Sequence, residues 1–427
     1  MTSTPTRPTP AVQGTEAQET GATRLPVLSL VLLAAIGFVL VAMETMPAGL
    51  LLVIADGLAT SEGTVGLLIS AYALGTVLVT VPAITLTRGM RRKPLLLIAI
   101  LGLLVANTVT ALSSDVALSL ASRFVAGAFS GVIWGMLAAY GRRISPPGRA
   151  GLSLAVVSTG APLGFAFGTP LGSWLGTTFE WRWSFGGLTL LGILVLVLIA
   201  VVVPDAAGQA AAGRAAAGHP AASRLPLAKV IRIPGVAVIL AVILLWMLGH
   251  NTIYTYIEPY LRATTTGLSV DLTLLVYGIA SILGVVLAGA LLDRHPRPLL
   301  HASVTMFVLA GVILLVGHDS APAVLVAAVL WGVTFGGASA QLQAALTTAG
   351  GSNADVANSF LPVAFNVAIF TAGILGAFLL TTVDGLVLPM VMITFGLLAL
   401  ALTIYGRRSA FPASLLGAAP LSGDMGG

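Results

Sequence analysis

The chain contains no cysteine and very little charge. The absence of cysteine among its 427 residues excludes disulfide bonds, thiolate metal sites and cysteine nucleophiles. Charged residues make up 8% of the sequence, whereas a soluble globular domain has about 25%. No phosphate-binding loop of the GxxxxGK[ST] type occurs, and the five histidines are scattered. We therefore expect no enzyme activity, no metal and no cofactor.

Hydrophobic residues are abundant instead, at 57% of the chain, and they occur in long runs. A membrane-spanning helix needs about 20 apolar residues, so the runs predict an all-α membrane protein. We place twelve spans at residues 27–52, 63–86, 95–112, 117–140, 151–175, 185–203, 234–256, 272–292, 299–317, 322–346, 356–381 and 387–405. The first 25 residues are predicted to be disordered, and the first span is predicted to be retained rather than cleaved.

The loops between spans fall into two sets of opposite charge. The basic set includes Arg88, Arg91, Arg142, Arg143, Arg294, Arg297, Arg407 and Arg408. The other set carries Asp56, Glu62, Asp115, Glu180, Asp271, Asp319 and Asp384, with Arg182 and Arg262. We call these the basic end and the acidic end of the molecule. Because basic loops stay in the cytoplasm, both termini are predicted to be cytoplasmic, and the net charge of +5 does not indicate nucleic acid binding.

A long loop, Pro204 to Ile233, divides the spans into six and six. It is rich in Ala, Gly and Arg and predicts a flexible linker. Two loops in equivalent positions share a basic-Pro-Leu-Leu pattern, Lys93 to Leu96 and Arg297 to Leu300, so we predict two repeated six-helix bundles with substrate bound between them. The predicted parts are a cytoplasmic N-terminus (1–25), an N-terminal bundle (26–203), a linker (204–233), a C-terminal bundle (234–405) and a cytoplasmic tail (406–427).

Glu44 lies within the apolar run Val27 to Ile54. Insertion scales put the cost of a charged side chain at the centre of a span at about 2.5–3.5 kcal/mol, which favours a functional role. Arg123, in the fourth span, is predicted to share a cavity with Glu44 and to influence its ionisation. The alternatives are a structural hydrogen-bonded pair, or an Arg123 side chain that extends towards the membrane surface.

The fifth span carries glycine at every fourth position, together with two prolines. A four-residue step makes a slowly winding stripe along a helix, which allows another helix to approach closely. Proline removes a backbone hydrogen bond and bends the helix. We interpret the motif as a bendable seam between the two halves, the alternative being static tight packing. Its residues are Gly160, Pro162, Gly164, Gly168, Pro170 and Gly172.

Polar and aromatic side chains within other spans are candidates for substrate contact. His250, Asn251 and Tyr254 lie near the acidic end of the seventh span. Histidine titrates near neutral pH, and aromatic faces bind cationic ligands. The alternative is hydrogen bonding between helices. Further candidates, for which ordinary packing is an equal alternative, are Tyr72, Trp134, Gln341 and Asn366.

Several of these stretches resemble the major facilitator superfamily, and in particular its twelve-span drug:proton antiporters of the arabinose-efflux and chloramphenicol-resistance type. The likeness rests on Met43 to Leu51, Gly66 to Gly75, Arg123 to Ala128, Gly160 to Gly172 and His250 to Pro259. It implies a proton-coupling role for Glu44 and Arg123 and a conformational role for the fifth-span motif.

The same family has a gating loop, Gly-x-x-x-Asp-Arg-x-x-Arg, which this chain keeps only in its second half. There the matching residues are Gly289, Asp293, Arg294 and Arg297. In the first half Ala83 and Thr87 replace the glycine and the acid, while Arg88 and Arg91 remain. The resemblance implies that such loops pair charges between helix ends at the basic end, and the missing acid puts that pairing in doubt for the first half.

Together these features predict a proton-driven exporter of drugs or small organic metabolites in a bacterial cytoplasmic membrane. Its partners would be protons, a small-molecule substrate and the lipid bilayer, and we expect a monomer. Three alternatives stay open: a sugar or metabolite efflux permease, a proton symporter for uptake, and a membrane receptor or scaffold that transports nothing. The carrier of the proton is Glu44 or, as second candidate, His250.

Overall fold

The computed structural model describes residues 25–87, 90–146, 149–205 and 227–411. Within these ranges the chain is helical and contains no β-strand. The large apolar side chains left at the surface are numerous, with Leu190 and Val201 among the most exposed. Such a surface suits a hydrocarbon environment rather than water.

The first half contributes six crossing segments. Its helices are Val27–Thr45, Leu51–Gly57, Glu62–Leu86, Arg92–Leu112, Val116–Arg143, Ala150–Ser158, Gly160–Leu163, Thr169–Thr178 and Trp181–Val202. The second half contributes the helices Leu227–Ile231, Pro234–Thr255, Ile257–Ala263, Val270–Leu291, Pro296–Val316, Ala321–Gly350, Ala354–Thr382 and Leu388–Tyr405.

Eleven stretches of the described residues are long and apolar enough to cross a membrane. One of them, Ala321–Thr382, has 62 residues and would be about 93 Å long as a single helix, three times a bilayer core. It consists of two helices separated at Gly351–Asn353, where Gly351 has a positive φ of 51°. The stretches therefore make twelve spans, and the predicted all-α membrane fold is confirmed.

The first span is broken near its acidic end. Helix Val27–Thr45 ends where a 3₁₀ turn, Met46–Gly49, begins, and helix Leu51–Gly57 follows. Pro47 accounts for the break, because proline has no N–H to donate to the carbonyl of Met43 four residues earlier. The carbonyl groups before the turn are therefore left without their usual partners.

The seventh span, six spans later, is broken in the same way. Helix Pro234–Thr255 ends before Tyr256, and the short helix Ile257–Ala263 begins after it. Pro259 lies four residues beyond Thr255 and cannot donate to its carbonyl. The repeated proline position agrees with the predicted repetition of the two halves.

The fifth span bends differently. Its middle, Gly164–Gly168, is a π-helical segment, and Pro162 and Pro170 flank it. Such segments arise where the regular hydrogen-bond ladder is interrupted, and they occur often at functional positions. This region packs against the eighth span, and the second span packs against the eleventh, so these four spans form the main contact between the halves.

The edges of the predicted linker and tail are folded. Residues 1–24, 206–226 and 412–427 lie outside the described residues, and so does most of the predicted disordered N-terminus and flexible linker. Within the predicted linker, Leu227–Ile231 is a helix, so this part is not a flexible connection. At the start of the predicted tail, Ala410 and Phe411 are buried.

Candidate functional site

Glu44 lies in the last turn of helix Val27–Thr45, three residues before Pro47. Its side chain is neither fully buried nor exposed, so part of it remains accessible. Within the described part of the chain, its carboxyl group forms no hydrogen bond or ion pair. Next to it, the hydroxyl groups of Thr45 and Thr169 share a hydrogen bond of 2.6 Å that joins the first and fifth spans.

Arg123 is completely buried beside Glu44. Its guanidinium donates to the carbonyl of Met43 at 2.8 Å, to the carbonyl of Glu44 at 3.0 Å and to that of Leu68 at 3.4 Å. The carbonyl of Met43 is the one that Pro47 leaves without an N–H donor. The helix break in the first span thus explains why a cation is held there, since charged donors make strong bonds to free carbonyl oxygens.

Tyr72 completes this group from the second span. Its ring is fully buried, and the Arg123 guanidinium carbon lies 4.6 Å from the ring centre, a cation–π distance. The alternative considered for Glu44 and Arg123, a structural hydrogen-bonded pair of their side chains, is not formed in this structure. Arg123 contacts the backbone of Glu44 instead, which leaves the carboxyl group available.

A cluster of aromatic side chains occupies the other half. We define the aromatic cluster as His250, Tyr254, Tyr277, Trp331 and Phe335, with Phe165 reaching it from the fifth span. The rings of His250 and Phe335 stack at 3.8 Å, and those of Tyr277 and Trp331 lie 4.5 Å apart. Phe165 contacts Phe335 at 5.2 Å and Tyr254 at 5.8 Å, so the cluster bridges the two halves.

The hydrogen bonding of His250 determines its tautomer. The indole N–H of Trp331 donates to Nδ1 of His250 at 2.8 Å. Because an indole N–H can only donate, Nδ1 carries no proton, and the neutral ring carries its proton on Nε2. Within the described residues, Nε2 of His250 has no hydrogen-bond partner although it is buried. A ligand acceptor is the kind of group that would satisfy it.

Tyr277, Trp331, Phe335 and Phe165 were not among the sequence candidates. A signal existed: Trp331 and Phe335 are four residues apart, as are His250 and Tyr254, so each pair lies on one helix face. The sequence could not show that the two faces meet.

The remaining substrate candidates make local contacts. Asn251 donates to the carbonyl of Met247 at 2.7 Å, and Asn366 to that of Pro362 at 2.9 Å. Trp134 is partly buried, with its ring close to the first span at Gly37.

Gln341 donates to Ser303 at 3.1 Å and borders a small cavity formed by residues of the second half. This places its side chain inside the C-terminal bundle. Its role in substrate contact stays a prediction, as do those of Trp134, Asn251 and Asn366.

The fifth-span glycines face the first span of their own half. A Cβ atom on Gly160 would overlap the carbonyl oxygen of Ala34, and one on Gly168 would lie 2.6 Å from the Cβ of Ala42. Gly164 and Gly172 meet the first span in the same way. The glycines of the stripe therefore pack within the first half and do not themselves form the contact between the halves, while the predicted bending of this span stays a prediction. The contact with the second half is made by other residues of the span, such as Ala166, against Gly278.

The predicted gating residues at the basic end make different contacts. Arg88 lies outside the described residues. Arg91 forms an ion pair of 2.5 Å with Asp205 of its own half. Arg297 donates to the carbonyl oxygens of Phe411 and Arg407, which fastens the start of the tail.

Asp293 and Arg294, from the same predicted loop of the second half, are exposed and form no ion pair with any residue that the structure describes. The charge pairing implied for this loop is therefore not formed in this structure.

The acidic end joins the halves directly. Tyr256 of the seventh span donates to the carbonyl of Gly373 at 2.6 Å and to that of Gly63, across the interface, at 3.3 Å. Ser70 donates to the carbonyl of Phe370 at 3.0 Å. The acidic end is therefore closed in this structure.

Across the described ranges, no group of three or more His, Asp or Glu side chains could hold a metal ion. A family model described as Major Facilitator Superfamily matches residues 33–357, about three quarters of the chain. The match begins in the first span and reaches the start of the eleventh, so it includes both Glu44 and the aromatic cluster.

Proposed function

Because the chain belongs to the major facilitator superfamily, and is therefore a membrane transporter, we propose that it exports a small organic molecule in exchange for protons. The protein would lie in a bacterial cytoplasmic membrane as a monomer, with both termini and the basic end in the cytoplasm. The acidic end would then face outwards.

The observation that carries this proposal is the free carboxyl group of Glu44. It is the one acid of the chain that lies in the middle of a span, and its side chain borders accessible space. Its neighbour Arg123 is held by three backbone carbonyls and so keeps a fixed positive charge there. A carboxyl group with no fixed partner can take up and release a proton without breaking the packing around it.

His250 suits this role less well. Its Nδ1 accepts a hydrogen bond from Trp331, and aromatic rings surround it. Protonating Nδ1 would break that bond and place a second donor against the indole N–H. We therefore assign the proton to Glu44 and assign His250, with its free Nε2–H, to the recognition of cargo.

Transport requires that protons and cargo favour different conformations. A ligand shifts a conformational equilibrium only through a difference in its affinity for the two states. In the proposed cycle, cargo enters from the cytoplasm while the acidic end is closed, as it is here. Cargo binding near Glu44 displaces the proton, and the acidic end then opens to release the cargo.

The cargo is expected to be planar or aromatic, and neutral or singly cationic. Aromatic faces line the interior of the second half, and they bind such molecules well. Glu44 alone offers a negative charge at that depth, so a dication would lack a second partner. A sugar or metabolite permease of the same fold is the alternative for the cargo, and an uptake symporter is the alternative for the direction.

Proton release from inside-out vesicles with an imposed pH gradient tests the proposal. The vesicles are challenged with cationic dyes, neutral planar antibiotics and pentoses, using the wild type and Glu44→Gln. We expect cargo to trigger proton release in the wild type and not in the variant. Glu180→Gln makes the same chemical change at an exposed loop position and serves as the control.

Equal proton release by wild type and Glu44→Gln would show that Glu44 is not the proton carrier. Proton flow in the same direction as the cargo would replace antiport by symport. A response to pentoses alone would favour the sugar permease.

A further inference from the structure

The broken first and seventh spans meet at the acidic end through Glu258. This residue lies just beyond the seventh span, in helix Ile257–Ala263, and is 8% exposed. Its carboxylate oxygen Oε2 accepts the backbone N–H of Leu52 at 2.9 Å. The bond links one half of the protein to the other.

The donor is available because of the break in the first span. Leu52 is the second residue of helix Leu51–Gly57, and the first N–H groups of a helix have no partner within it. No side chain of the preceding turn caps this helix start. Glu258 therefore supplies, from the second half, an acceptor that the first half lacks.

Glu258 forms no ion pair with any residue that the structure describes. Arg262, on the same short helix, pairs instead with Glu62 of the first half. The charges of these two side chains act on Glu258 in opposite directions. Asp56 and Asp384 line the adjoining cavity of about 450 Å³ together with Glu62 and Arg262, so acids outnumber cations in the lining of that cavity.

Closing the acidic end moves this carboxyl group out of water. Burial raises the pKa of Glu258 above its ordinary value, and the negative charge of Glu62 adds to the rise, while the Leu52 N–H and Arg262 oppose it. When the end opens, water reaches the group and its pKa falls again. The closed conformation therefore binds a proton more readily than the open one, so protonation favours closure and a rise in pH favours opening.

We infer that Glu258 is a second proton-binding carboxyl group, which takes up a proton from the outer side as the acidic end closes and releases it as that end opens. The protonated group keeps a carbonyl oxygen for the N–H of Leu52, so the contact survives neutralisation. The inference rests on the proposed proton-coupled function and adds to it a site some distance from Glu44 along the first span. Its direction suits an exporter, because the protonated form is the one closed to the outside.

Distance measurements between two spin labels test the inference. Because the chain has no cysteine, Ser114→Cys and Ser320→Cys give two labelling sites at exposed acidic-end loops, one in each half. Pulsed electron paramagnetic resonance in lipid nanodiscs then gives the populations of the open and closed acidic end. The series runs from about pH 5 to about pH 9, a range that brackets a raised carboxyl pKa.

In the wild type we expect the ratio of open to closed populations to rise with pH, by up to about tenfold per pH unit for each proton released. Glu258→Gln, which mimics the protonated group, should be more closed than the wild type at high pH and should lose the part of the slope that Glu258 contributes. Glu62→Gln breaks only the neighbouring ion pair, and should change the ratio by less than about fivefold without changing its slope with pH.

A wild type without pH dependence would overturn the inference with no variant involved. A Glu258→Gln protein that keeps the wild-type slope would also overturn it. So would a variant that is more open than the wild type at low pH, since the carboxylate would then stabilise the closed end without binding a proton. Glu44→Gln in the same labelled chain separates the two proposals. If it removes the whole slope and Glu258→Gln removes none, the Glu258 inference fails while the role of Glu44 stands.

Discussion

The two halves share a helix break at a proline and differ in the side chains near it. The break lies in the first span of each half, at Pro47 and at Pro259. In the N-terminal half, charged side chains lie at the break, where Arg123 binds the carbonyl groups of Met43 and Glu44. In the C-terminal half, no Asp, Glu, Lys or Arg of a described span lies deeper than the second residue of its helix, the position of Asp271, Arg297 and Asp355. An aromatic cluster fills the interior.

This difference fits the proposed function, in which the two repeated bundles have different roles. Under that proposal, the charged residues of the first half would respond to protons, and the rings of the second half would respond to the shape of a ligand. The rings also extend across the interface through Phe165, which contacts Tyr254 and Phe335. Cargo bound against the cluster would therefore be close to both halves, as coupling between proton and cargo requires.

The largest effect is expected from Arg123→Met, which removes the cation from the charged half. The carbonyls of Met43, Glu44 and Leu68 would lose their charged donor in a buried site. A buried acceptor left without its donor costs about 1–3 kcal/mol, and three carbonyl oxygens are affected here. We expect a clear fall in the thermal unfolding midpoint in detergent, and loss of cargo-driven proton release in whatever protein remains folded.

Arg182→Met is the matched control for that prediction. Arg182 pairs with Glu180 at the surface of the same half, at 2.7 Å. An exposed ion pair of this kind contributes about 0–1 kcal/mol, so stability and proton release should change little. If Arg123→Met were as stable and as active as this control, the charged half would not depend on its cation, and the comparison between the halves would fail.

A smaller effect is expected where the fifth span presses against the first. Gly160→Ala would force a Cβ against the backbone of Ala34, whereas a Cβ at Gly186 meets nothing within 4 Å. Overpacking of this kind costs about 1–3 kcal/mol. We expect Gly160→Ala to lower the unfolding midpoint and to slow transport, with Gly186→Ala unchanged. Equal behaviour of the two variants would mean that the stripe is loosely packed.

Sequence patterns predicted the helices well and the contacts between them poorly. Apolar runs and loop charges located twelve spans, because span length and backbone satisfaction in lipid are properties of a local segment. The depth of Glu44 and Arg123 in their spans also placed them close together. Arg123 binds carbonyls rather than the carboxylate because of the break at Pro47, and the geometry of that break does not follow from the pattern of apolar residues.

The errors have a common physical origin. Glycine spacing shows that some helix packs closely, but the pattern is the same whether the partner is in the same half or the other, and here it is the first span. The aromatic cluster is assembled from four spans, so no single segment carries its signal. Glu258 lies in a stretch that resembles the family, but the sequence indicates no role for it, because its donor, Leu52, lies 206 residues away.

The smallest effect is expected from Trp331→Phe, which alters the aromatic half without removing a ring. The variant loses the indole N–H that donates to Nδ1 of His250. A neutral hydrogen bond of this kind contributes about 1 kcal/mol, so the cargo dissociation constant should change by less than about tenfold. The number of protons released per cargo should stay the same, because the proton is assigned to Glu44. Parallel measurement of cargo binding and proton release checks both. If binding is unchanged while the proton count falls, His250 takes part in proton transfer, and the aromatic half is not confined to recognition.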